Sequence, residues 1–183
     1  MVEIKLQEDK LTVVSGGFAL DFAVGDKPLA VGNGRNRYKM SHGSFFIKEK
    51  ISRRKFLTVV GVSADGDDYL VKFDLGALRL RLEGEAIKFL PEGFEGFDRM
   101  WLTLPSEPHE CYYGSGEVFS EYDLKGLKAT VWVAEHINVL QTTRKLLRNA
   151  LGQRDSMRKQ RFGRYETYYA QPTFVSSRRY FYH

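Results

Sequence analysis

The feature that most limits how this chain can fold is an alternation of apolar and polar side chains with a period of two. It returns about every ten residues over most of the sequence. Leu11-Thr12-Val13-Val14 runs through Ser15-Gly16-Gly17 into Phe18-Ala19-Leu20-Asp21-Phe22. Phe56 to Val62 is followed by Ala64-Asp65-Gly66-Asp67 and then by Tyr69-Leu70-Val71-Lys72-Phe73. An Asp-Gly pair between two apolar runs predicts a hairpin. Ala77 to Leu82 sets Leu78, Leu80 and Leu82 against Arg79 and Arg81, and Arg99 to Leu104 sets Met100, Leu102 and Leu104 against Trp101 and Thr103. Strands at this spacing predict an all-β fold, an antiparallel β-sandwich. With 183 residues, 43% of them hydrophobic and 28% charged, the chain is long and apolar enough to bury a core as one domain over residues 1–183.

Between Glu135 and Gly163 the rhythm fails. Leu140, Leu146, Leu147 and Leu151 can line one side of a short helix that ends at Gly152, and Gln153 to Arg164 is polar. Residues 137–164 are therefore expected to form a helical or disordered basic insertion. Between Gln141 and Arg164 there are eight basic residues against one acid, Asp155, whereas the whole chain carries a net charge of +5. The excess is thus local, and the rest of the chain is slightly acidic. A basic stretch suggests a nucleic-acid partner, but Gln141 to Gln160 contains no aromatic residue to interleave with bases, which argues against one.

Several classes have little support in the sequence. No run approaches the ~18 apolar residues that a membrane span needs. Met1 to Lys5 lacks the basic-then-apolar pattern of a secretory signal, so residence in the cytoplasm is expected. Cys111 has no cysteine to pair with, and His42, His109, His136 and His183 are scattered. That pattern offers no metal site, and no cofactor is expected.

The most informative stretch runs from Tyr112 to Gly126, Tyr-Tyr-Gly-Ser-Gly-Glu-Val-Phe-Ser-Glu-Tyr-Asp-Leu-Lys-Gly. Two glycines one residue apart let the backbone turn sharply and approach another surface. Glu117 would then sit on a rigid corner. The simpler reading is a glycine-rich turn whose glutamate caps nearby amides. The spacing is not a nucleotide-binding fingerprint, because no third glycine and no helix follow.

Tyr113-Gly114-x-Gly116-Glu117-x-Phe119, then Asp123-Leu124-Lys125-Gly126, Trp132 and Glu135, resemble the N-terminal domain of glycoside hydrolase family 31. A second block, Gln171-Pro172-Thr173-Phe174-Val175-Ser176-Ser177 with Tyr180 and His183, is similar to the bacterial sulfoquinovosidase branch of that family. Met40 to Glu49 adds a looser likeness, and together the likeness covers about residues 28–183. One departure is His136-Ile137-Asn138-Val139, where that branch continues with Gln-Gly-Val-Gly-Arg.

The resemblance implies a galactose-mutarotase-like β-sandwich placed ahead of a (β/α)8 barrel, in a retaining α-glycosidase of α-glucosidase or sulfoquinovosidase type. Retaining chemistry needs two carboxyl groups about 5 Å apart. In the family both are barrel aspartates, and neither has a counterpart here, so no residue of this chain is assigned as catalytic. Asp65, Asp67 and Asp68 are expected to be turn formers and Trp132 a core residue. The resemblance makes Gly32 to Tyr38 a candidate loop at the active-site mouth. Arg35, Asn36, Tyr38, Glu117, Glu135 and Gln171 are then the candidate substrate-binding residues, each balanced by a purely structural reading.

The chain ends in an aromatic run, Tyr180-Phe181-Tyr182-His183, from which a longer natural protein is expected. By itself the chain is expected to be catalytically inert. Its barrel-facing surface would be exposed and prone to self-association. The carbohydrate partner would be met through the barrel, and no membrane partner is expected. A stand-alone carbohydrate-binding or structural module is the competing reading.

Overall fold

The computed structural model describes residues 2–41, 44–118, 122–127, 131, 133 and 167–183. The 137–164 insertion, Trp132 and Glu135 lie outside the described residues. The strands run in chain order β1 (Val2–Leu6), β2 (Lys10–Ser15), β3 (Phe18–Ala23), β4 (Leu29–Ser41), β5 (Ser44–Leu57), β6 (Val59–Asp65) and β7 (Asp68–Phe73). They continue as β8 (Ala77–Glu83), β9 (Ala86–Glu92), β10 (Arg99–Leu102), β11 (Tyr112–Val118), β12 (Thr167–Ser176) and β13 (Phe181–Tyr182). Among the described residues, the strand pairings within β1-β2-β3, β4-β10, β6-β7-β8-β9 and β11-β12-β13 are antiparallel. The described residues contain no helix, and the all-β, sandwich-like fold expected from alternation is what forms.

Four sheets result, β1-β2-β3, β10-β4-β5, β6-β7-β8-β9 and β11-β12-β13. Tight turns make the first and third. Ser15 pairs with Phe18 across Gly16-Gly17, Asp65 with Asp68 across Gly66-Asp67, and Glu83 with Ala86. These links are local, so the order of strands within these two sheets follows the order of the sequence.

The chain divides into two compact units. The first comprises Met1–Asn36, Glu49–Pro108 and Arg178–Tyr180; the second comprises Arg37–Lys48, His109–Ser177 and Phe181–His183. The first unit holds the principal core. Leu11 and Val13 of β2, Leu20 and Phe22 of β3, Leu29 and Val31 of β4, and Leu57 and Val59 meet Val71 and Phe73 of β7 and Leu78 and Leu80 of β8. Each pair lies two residues apart on its strand, or across the short β5–β6 link, so alternation turns both members to one side. Burying one such side chain contributes about 1.5–3 kcal/mol.

Leu82 and Met100 are among the apolar residues that depart from the pattern. Leu82 is 45% exposed, because it sits one pair from the turn that joins β8 to β9, where the strand leaves the core. Met100 is 41% exposed because β10 is an edge strand.

Arg79 and Arg81 stand on the opposite face of β8 from Leu78 and Leu80. Arg79 donates to Glu92 at 2.6 Å and to Asp65 at 2.7 Å, and Arg81 holds both oxygens of Asp68 at 3.1 and 2.9 Å. The hairpin aspartates therefore form the turn and also serve as counter-ions to the arginine pair.

Candidate functional site

The two motif blocks meet strand against strand. Tyr112 pairs with Ser176, Tyr113 with Val175 and Gly114 with Phe174, after which the register slips and Gly116 pairs with Ala170. Over that interval β11 advances two residues and β12 four, so Gln171-Pro172-Thr173 bulges out of the ladder. Proline has no N–H to give a ladder, and a bulge is where a strand tolerates it.

The partner side of the bulge is equally unusual. Gly114, Ser115 and Gly116 have φ of 121°, 64° and 88°. A Cβ on Gly114 would strike the Thr173 carbonyl, and one on Gly116 would strike the Tyr169 carbonyl and come within 2.8 Å of the Gln171 nitrogen. Both positions thus require glycine, for the positive φ and for the close approach. Ser115 between them is fully buried. Glu117 and Gln171 are both exposed, on facing strands.

Below this corner the Asp123-Leu124-Lys125-Gly126 motif acts as a clamp. The Asp123 carboxylate accepts from the Tyr112 amide at 2.9 Å and the Lys125 amide at 3.0 Å, and the Leu124 amide donates to the Tyr112 carbonyl at 2.8 Å. The Tyr112 and Lys125 amide bonds hold the Asp123 carboxyl below the usual carboxylate range. A hydrogen bond with Cys111, together with burial, pushes the Tyr113 phenol up, and its ring lies 4.9 Å from that of Tyr122. Buried Glu110 accepts from the Ser176 hydroxyl, and the Ser177 amide donates to the Cys111 carbonyl at 3.0 Å. Thr173 Oγ1 and His183 Nδ1 are 2.6 Å apart. These polar groups spend their bonds on holding the β11–β12 corner in place, which suits positioning rather than turnover.

The remaining candidates are dispersed. Gly32 to Tyr38 is the interior of β4 and not a loop. β10 pairs with β4 only over Leu29 to Gly32, so beyond Gly32 it is the neighbouring β5 that keeps the segment extended despite its glycines and asparagines. On a strand Asn36 and Tyr38 share one face and Arg35 takes the other. Arg35 is exposed, Asn36 half-buried and Tyr38 65% exposed. Arg35 and Asn36 belong to the first unit, while Tyr38, Glu117 and Gln171 belong to the second. The Glu110–Ser176 bond had no sequence signal, since its partners are 66 residues apart.

One set of described carboxylates is gathered closely, Asp65, Asp68 and Glu92 around Arg79. The hydrogen bond from Arg81 holds Asp68 below its ordinary pKa, and bonds to Glu92 and then Asp65 raise that of Arg79. A glycosidic general acid needs the reverse, a carboxyl pushed up. This set is an ion-pair network. Among the described residues no group of three His, Cys, Asp or Glu is placed to hold a metal, and no helix is long and apolar enough to cross a membrane.

Comparison with protein-family models finds no match. Among curated proteins, the chain is 30% identical over 166 residues to a sulfoquinovosidase of Escherichia coli strain K12, covering 86% of this chain and 24% of that protein. It is 32% identical over 181 residues to a sulfoquinovosidase of Agrobacterium fabrum, covering 96% of this chain and 26% of that protein. The chain thus spans about a quarter of the length of these relatives. A solved structure of a family 31 sulfoquinovosidase from E. rectale, in complex with the aza-sugar inhibitor IFGSQ, shares the fold. Its TM-score is 0.74 at 22% identity, over 98% of this chain and 27% of that one.

Proposed function

Because the chain belongs to glycoside hydrolase family 31, as its N-terminal β-domain, we propose that it serves a retaining α-glycosidase of the sulfoquinovosidase or α-glucosidase type. In this reading it supports the catalytic barrel, borders the active site and is inert alone. The observation that carries the reading is the likeness across 86% to 96% of this chain to about a quarter of two sulfoquinovosidases. The β11–β12 corner is consistent with it, since it fixes the exposed Glu117 and Gln171 on a frame whose other polar groups are committed to structure. Arg35, Asn36, Tyr38 and Glu135 remain proposed contacts to sugar.

Val175 and Phe181 face each other across β12 and β13 and are 44% and 66% exposed. An exposed apolar cross-strand pair suits a surface that another domain covers. We take the barrel to be that domain, and carbohydrate to be the partner met through it.

The test is hydrolysis of 4-nitrophenyl α-sulfoquinovoside by the chain alone, and by a chimera in which the chain replaces the corresponding quarter of the E. coli relative. The chain alone should release no 4-nitrophenol and the chimera should release it. Turnover by the chain alone, or a folded chimera without activity, refutes the reading.

A further inference from the structure

The part of the β10-β4-β5 sheet that lies in the first unit carries an exposed arginine, Arg54, with no hydrogen bond among the described residues. Trp101 pairs with Ala30 and Arg99 with Gly32, so both β10 side chains lie beside a stretch of β4 that carries almost no side chain. A Cβ on Gly32 would come within 2.9 Å of the Trp101 ring, which places the indole against the bare backbone. The Arg54 guanidinium carbon then lies 4.7 Å from the Trp101 ring centroid and 4.8 Å from that of Phe56. Two aromatic contacts fix one guanidinium.

Other arginines of the first unit are used differently. Arg99 binds Glu49 at 2.7 Å, and Arg79 and Arg81 are matched to carboxylates. Arg54 is exposed and, among the described residues, has neither a hydrogen bond nor an ion pair. Arg53, the next residue, stands over Phe97 at 5.7 Å and adds a second exposed cation.

A guanidinium restrained by two rings and bonded to no described acceptor keeps its N–H groups for a ligand. The planar fork matches an oxyanion through two parallel bonds. Rings that restrain it beforehand reduce the ordering cost of binding. Phe56, 52% exposed, offers an apolar surface beside the guanidinium to the carbon skeleton carrying the anion.

We propose that Arg54, pinned over Trp101 and Phe56, binds the phosphate, sulfate or sulfonate group of a small soluble compound. The site stands apart from the glycosidase reading and does not depend on it.

Isothermal titration calorimetry on the whole 183-residue chain at low ionic strength tests this, with glucose 6-phosphate, sulfoquinovose, inorganic sulfate and glucose as probes. Saturable binding of the anions and none of glucose is expected, weakening as salt rises. Tighter binding of the two sugars than of sulfate identifies a carried oxyanion, and equal binding a free one; either outcome upholds the site. Arg54→Gln should weaken binding at least tenfold and Arg54→Lys several-fold, since lysine keeps the charge but loses the fork, while Lys72→Gln on another sheet should leave it unchanged. No saturable binding of any anion, equal binding of glucose, or undiminished binding by folded Arg54→Gln overturns the proposal.

Discussion

Replacing Gly116 with alanine tests whether the β11–β12 corner depends on backbone contact. Two costs add. At φ of 88°, an alanine bears the positive-φ penalty of about 1–2 kcal/mol. Its Cβ would also press on the Tyr169 carbonyl and lie 2.8 Å from the Gln171 nitrogen, which are backbone atoms that no side-chain rotation can clear. The strands must part there, and losing one or two ladder bonds costs about 1 kcal/mol each. The expected total is about 2–4 kcal/mol, a large share of the ~5–15 kcal/mol that stabilises a typical domain. Gly126→Ala is the control within the same unit. Its φ is +72°, but nothing lies within 4 Å of the added Cβ, so only the backbone cost applies. The difference of about 1–2 kcal/mol corresponds to roughly five- to thirtyfold in amide protection, at 1.4 kcal/mol per tenfold. Hydrogen exchange read by mass spectrometry on β11 and β12 peptides should show that excess loss. If Gly116→Ala costs no more than Gly126→Ala, the close approach has no energetic weight and the account of the corner is wrong.

Two further outcomes are expected. Asp68 has a pKa lowered chiefly by the hydrogen bond from Arg81, so its contribution to stability is complete above the unfolded carboxyl pKa and disappears as pH falls through the folded value. Thermal melts should therefore show Asp68→Asn destabilised at pH 7, with the gap to the unaltered chain closing in strong acid; a gap independent of pH would exclude the ion pair as its cause. Ser176→Ala removes the hydroxyl that donates to buried Glu110 and should cost about 1–3 kcal/mol in urea unfolding, whereas a neutral result would show that the bond adds nothing to the corner.

Hairpins were the part of the fold most legible in the sequence, because their causes are local. Asp65-Gly66-Asp67 closes β6 on β7, and the alternation in Leu11 to Phe22 and in Leu78 and Leu80 names core residues directly. The same rule fails at Leu82 and Met100, since period two assigns a face but cannot say where that face stops being covered. Gly32 to Tyr38 was misread as a loop for a related reason. Glycine and asparagine disfavour a strand in isolation, but the neighbouring β5, joined by β10 only as far as Gly32, outweighs that preference.

Residues 112–126 and 171–183 carried the family likeness as two separate pieces of sequence, with nothing in either to show that they pair. By itself the sequence determined what depends on neighbours a few residues away: which stretches extend, where they turn, and which side chains share a face. Tertiary structure alone decided that Ser176 meets Glu110, that Gly116 lies against the Tyr169 carbonyl, and that Arg54 rests on Trp101. Those contacts join residues 47 to 66 positions apart, a separation that no local propensity spans and that only sheet register fixes.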